Sequence, residues 1–116
     1  MSAQFSPNEL GDFLAFIEAQ MNHMLENVAE TREAGEKIWE ISLENASRSP
    51  DIAWPLWLIW GALTDGAEWG NRPEAEATMR RAAKEWLILS RDNVELQKAY
   101  LDRWVYEETG HERKPG

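Results

Sequence analysis

Apolar residues recur in the first part of this chain at Leu10, Leu14, Ile17, Met21, Met24 and Val28, at spacings of four and three in alternation. A strand needs a period of two, so a segment with this pattern buries one face only by coiling into an α-helix. Phe13 and Leu25 widen the seam into a stripe facing a core. The start is marked as well. In Ser6-Pro7-Asn8-Glu9 the serine caps, the proline takes the first helical position, and Glu9 completes a capping box.

The pattern pauses at Thr31, Arg32 and Gly35 and resumes in phase at Trp39, Leu43 and Ala46. One continuous helix from Pro7 to Ser47 would be about 60 Å long. Two helices broken near Gly35 suit a domain of this size better, and both readings stay open.

Ser49-Pro50-Asp51 and Trp54-Pro55 then mark a turn and a new start. From Pro55 to Trp69 the chain is apolar nearly all round, as a central buried helix would be. Gly61 and Thr64 leave room on one side of it for another helix. Gly70-Asn71-Arg72-Pro73 ends this helix and begins a fourth, facing inward through Ala75, Met79, Ala82, Ala83, Trp86 and Leu87. Asp92-Asn93-Val94-Glu95 reads as a second capping box. The last helix buries Val94, Leu101, Trp104 and Val105 and stops at Gly110.

No alternating run or strand-flanked hairpin signal is present. The expected fold is all-α: one domain over residues 1–116, a bundle of four to five helices around a tryptophan-rich apolar central helix. Residues 1–5 and 111–116 read as flexible tails. A chain of 116 residues is of single-domain size and needs no metal or disulfide to fold.

Charge narrows the function. The net charge is −9, which repels phosphate backbones and anionic membranes, so neither nucleic acid nor membrane is an expected partner. The lack of cysteine removes disulfides, zinc ribbons and thiol nucleophiles. No secretory leader is visible, and the apolar run Ile52 to Leu63 is far shorter than the roughly 20 residues that span a bilayer. A cytoplasmic location is expected.

Two features stand out. Seven tryptophans, Trp39, Trp54, Trp57, Trp60, Trp69, Trp86 and Trp104, are many for so small a core. Most read as packing; Trp54 and Trp69, at the two ends of the apolar helix, are the expected exposed pair and candidate interface anchors. An aromatic cage for a cationic ligand, with Asp65 and Glu68 nearby, is a further reading.

The second feature is the row Glu26, Glu30, Glu33, Glu36, Glu40 and Glu44, which falls within about 120° of arc on the polar side of a helix. A row of like charges is usually a solvated face, yet it works against helix stability and attracts basic partners. Residues 1–48 hold nine acids and three bases, so the excess is concentrated there. Magnesium ligation by Glu-x-x-Glu needs carboxylates from a second helix. Asp65 and Glu68 have suitable spacing, but the downstream Glu-x-x-Asp of an all-α nucleotide hydrolase is missing.

His23 lacks a Glu three residues before it, and His111 lies in the tail, so neither reads as a ligand or base. The basic cluster Arg72, Arg80, Arg81, Lys84 and Arg91 is interleaved with Glu74, Glu76 and Glu85 and reads as a paired surface, or as the complement of the acidic row in a homodimer. No cofactor or metal is expected. The expectation is a non-enzymatic module that binds another protein with a basic surface, as an inhibitor or immunity protein does. Its candidate contacts are Glu26, Glu30, Glu33, Glu40, Trp54 and Trp69. A small-molecule binder with a Trp-lined pocket is the alternative, ahead of a carboxylate–metal hydrolase.

Overall fold

The computed structural model describes residues 5–89 and 93–112. It holds five α-helices: α1 (Pro7–Glu26), α2 (Thr31–Asn45), α3 (Ala53–Trp69), α4 (Arg72–Leu87) and α5 (Val94–Arg103). A 3₁₀ turn at Val28–Glu30 joins the first two, and a π-helical turn at Trp104–Glu108 extends the last. There is no strand among the described residues.

The capping box of α1 forms as the sequence dictates: Glu9 N–H donates to Ser6 Oγ, and Ser6 N–H donates to the Glu9 carboxylate, both at 3.2 Å. The break after α1 falls at Asn27 and not at Gly35. A single 60 Å helix has no room in a molecule whose longest extent is 38 Å. Thr31 explains the site of the restart. Its hydroxyl donates to the Val28 carbonyl at 2.7 Å and accepts from Arg80 Nη1 of α4 at 3.0 Å, which ties the first turn of α2 to α4.

Gly35 lies inside α2 as a packing residue. A methyl group there would stand 3.1 Å from Met79 Sδ and 3.6 Å from Trp60 Cε3, so three helices meet over its bare backbone. The turn also shifts the buried face of α2 to Thr31, Ala34, Gly35, Ile38 and Ser42. Leu43 and Val28, both assigned to the stripe by spacing, are exposed.

α1 packs on α2 and α4, and α3 packs on the same two, closing a four-helix ring. α3 also meets α5 and the π-turn, which makes it the central helix, buried through Ala53, Leu56, Ile59, Trp60, Leu63 and Ala67. Gly61 serves the close approach expected of it: a methyl there would lie 3.1 Å from the Trp39 indole nitrogen. α4 buries Met79, Ala82, Ala83 and Trp86, with Asn71 capping Glu74 N–H at 3.0 Å.

The cap of α5 is Asn93, which accepts from Leu96 N–H at 3.1 Å; Asp92 and Arg91 lie outside the described residues. Starting one residue later leaves Val94 exposed, and Gln97, Tyr100 and Leu101 take the buried face. Gly110 ends the last turn of the described residues with φ +76°, a conformation that favours glycine. Phe5 and His111, placed at the tail boundaries, both make contacts. Phe5 lies against Phe13 with ring centroids 5.4 Å apart, and His111 Nε2 sits 3.1 Å from the Leu58 carbonyl.

α5 is held to α4 by aromatic and ionic contacts together. Tyr100 stands edge-on to Trp86 at 5.2 Å and donates to the Ala82 carbonyl at 2.7 Å. Glu85 accepts from Trp104 Nε1 at 3.1 Å and pairs with Arg103 and Arg81. Partial burial pushes the Glu85 carboxyl up, but hydrogen bonds from Arg103 and Trp104 and the two positive charges outweigh it, and its pKa lies below the ordinary carboxylate value. A carboxylate with a lowered pKa stabilises the fold above its unfolded pKa, and the contribution is lost as pH falls through the folded one. The melting temperature should therefore drop on acidification from about pH 6 to about pH 3, and Glu85→Gln should show a shallower acid drop than wild type. An equally steep drop in the variant would remove Glu85 from the acid-sensitive set.

Candidate functional site

The connection from α2 to α3, residues 46–52, is short, so the two helices run antiparallel side by side. This brings two arms of acid together. Glu36 and Glu40 of α2 face Asp65 and Glu68 of α3 across a groove of about 260 Å³, with Trp39 as its aromatic wall and Gly61 and Thr64 at its base. Thr64 turns its hydroxyl inward to the Trp60 and Gly61 carbonyls, at 2.8 and 3.1 Å, and so spends its donor on the helix.

The glutamate row is therefore divided. Glu26 ends α1, and Glu30 sits in the 3₁₀ turn with its carboxylate 3.4 Å from His23 Nε2. Glu33 lies near Arg72: that guanidinium's pKa is raised by its hydrogen bond and charge pairing with Glu76, and further by the Glu33 charge. Only Glu36 and Glu40 of the row enter the groove. The bend at Asn27 turns α1 away from α2, so a single helical wheel overstates how far the row coheres.

Of the two candidate tryptophans, Trp69 is 81% exposed and Trp54 is 38% exposed. Fifteen residues of helix separate them by about 22 Å, so they belong to different surfaces. Trp69 follows the groove residue Glu68 at the C-terminal end of α3, at the edge of the acidic face. Trp54 lines a separate trough with α5 and the π-turn. Trp60 and Trp104 are fully buried and Trp86 nearly so. Trp86 Nε1 donates to Glu18 at 3.2 Å, a core role for an acid outside the row.

Among the described residues every arginine is engaged by the protein itself. Arg32 pairs with Glu36, Arg48 with Glu9, Arg72 with Glu76, Arg81 with Glu85 and Glu108, and Arg103 with Glu85, while Arg80 bonds Thr31. The basic residues of α4 thus form paired contacts, two of them at i, i+4 spacing. The four carboxylates of the groove do not converge: among the described residues no group of three or more His, Asp or Glu is placed to hold a metal ion. Nor, among those residues, is any helix long and apolar enough to cross a membrane.

Spacing alone identified the acids of both arms, but not that Trp39 would stand between them. The usable signal was Gly61, whose missing side chain permits the close approach that the Trp39 ring takes up. In comparison with known proteins, the chain matches no family model, no curated relative and no solved structure.

Proposed function

We propose that this protein is a cytoplasmic, non-enzymatic binding module whose α2–α3 face covers a basic surface on another protein, in the manner of a stoichiometric inhibitor or antidote. The observation that carries this reading is the unequal use of charge. The arginines are consumed by internal pairing, whereas Glu40, Glu44, Asp65 and Glu68 form no ion pair among the described residues. Unpaired carboxylates gathered on this face, on a chain of net charge −9, create a negative potential there that speeds encounter with a cationic partner. Trp69 at the edge supplies a large apolar side chain of the kind that anchors interfaces.

A second reading is supported by Trp39. An aromatic wall beside carboxylates suits a small organic cation, held by cation–π attraction and charge together.

One set of variants separates the two. Against a basic protein that co-purifies with the tagged chain at low salt, Glu33→Lys/Glu40→Lys/Glu68→Lys should slow association at least about tenfold and leave dissociation less affected. Trp69→Ala should speed dissociation without changing the melting temperature. Raising the salt should erase the difference in association rate. Equal association rates at low salt would make the face a solvated surface only. A melting shift with small polyamines that disappears in Trp39→Ala would favour the cation reading.

A further inference from the structure

α1, α2, α3 and α4 close their ring without help from α5. Backbone to backbone, α5 and the π-turn lie closest to α3, over a shorter stretch than neighbouring ring helices share. Side chains fasten them to α4. The Tyr100 hydroxyl donates to the Ala82 carbonyl at 2.7 Å, and Trp104 Nε1 donates to Glu85 at 3.1 Å. Four charges of alternating sign span the boundary: Arg81 and Glu85 on α4, Arg103 on α5 and Glu108 in the π-turn. Glu85 pairs with both arginines, Arg81 reaches Glu108 at 2.9 Å, and the Arg81 guanidinium sits 4.8 Å from the centre of the Trp104 ring.

These fastenings differ in kind from the interior of the ring. Ile17, Ile38, Ile59 and Trp60 are wholly buried, whereas the Arg81 and Glu85 side chains keep 50% and 28% of their surface in water. Water replaces a partly solvated ion pair at small cost when it parts. A helix of ten residues is not stable alone, so α5 unwinds as a whole once it leaves α4. The ring stays satisfied after that loss. Trp86, beneath Tyr100, keeps its bond to Glu18 of α1, and Arg81 keeps Glu85 at i, i+4 spacing. The two ends of the connection, Ile88 and Val94, are exposed, so no core packing there opposes the movement. What the movement uncovers is apolar: Ala82 and Trp86 of α4 are buried while α5 is in place.

We propose that residues 94–109 form a clasp that opens as one unit while the four-helix ring stays folded, with Glu85 as its latch.

The test is native-state hydrogen exchange on the full chain, followed amide by amide by NMR. Clasp amides such as those of Leu101 and Thr109 should share one opening constant, at least about tenfold larger than the constant of Ile17, Ile38 and Ile59. Glu85→Gln should raise the clasp constant by about tenfold more, the worth of one hydrogen bond to a charged group, and change the ring constant less than about twofold. A clasp that exchanges with the same constant as the ring would overturn the proposal, and so would a clasp constant that Glu85→Gln leaves unmoved. Constants that change residue by residue along α5 would mean fraying from one end, which is equally incompatible with a single unit. Should Glu85→Gln fail to fold, the wild-type pattern and Arg81→Gln, which removes the Glu108 pair, still decide it.

Discussion

Trp60→Ala should cost about 3–5 kcal/mol, as large-to-small changes at fully buried aromatic positions do. Trp60 is fully buried in the middle of α3 and reaches across to Gly35 of α2. Removing the indole empties a space that α2, α3 and α4 together enclose. For a chain of this length the melting temperature should fall by roughly 10–20 °C. The same side chain carries a buried indole N–H with no partner among the described residues, which is costly in the folded state. Trp60→Phe should therefore lose less than half as much as the alanine variant, since it keeps most of the packing and discards the orphan donor. Melting of Trp60→Ala within about 2 °C of wild type would contradict the central-helix architecture.

Gly35→Leu should be nearly as damaging, at about 3 kcal/mol or more, the upper range for overpacking. The first added carbon would already stand 3.1 Å from Met79 Sδ, with Trp60 behind it at 3.6 Å, so the remaining three carbons have nowhere to go. Gly35→Ala is the informative partner. It gains about 0.5–1 kcal/mol of helix preference and displaces only the flexible end of Met79, so its net effect should be small. Met79→Ala in the Gly35→Leu background should recover part of the loss, giving a double-mutant coupling of at least about 1 kcal/mol. Strict additivity of the two changes would mean that Gly35 and Met79 do not meet.

Gly35 also marks how far a sequence reading reaches. Helix identity was legible because three- and four-residue spacing, Ser6 and Asn71 capping, and Pro7 and Pro73 are local signals. The place of the break was not. At Gly35 local propensity argues for an interruption, and tertiary packing of Met79 and Trp60 overrides it. The helix restarts at Thr31, whose hydroxyl accepts from Arg80, a partner far along the chain. A shift of the helix phase at that turn then sent Leu43 outward and Ser42 inward. The acidic groove was half legible for the same reason: Glu36, Glu40, Asp65 and Glu68 follow helical spacing on each arm, but their meeting across Trp39 requires the antiparallel pairing of α2 and α3.

The π-turn at Trp104–Glu108 has a consequence for which changes the chain tolerates there. Thr109 N–H reaches back five residues to the Trp104 carbonyl, one more than an α-helix spans. The segment therefore holds a surplus residue whose only expression is the angle at which everything beyond it leaves. Deleting one residue within it would close an α-helical ladder and rotate the following chain by about 100°. Glu108 would swing away from Arg81, and His111 from the Leu58 carbonyl. Substitution at exposed Glu107 disturbs none of these contacts. The last turn is thus specified by residue count more than by residue identity, and should accept missense changes on its outer side while rejecting a single in-frame codon loss.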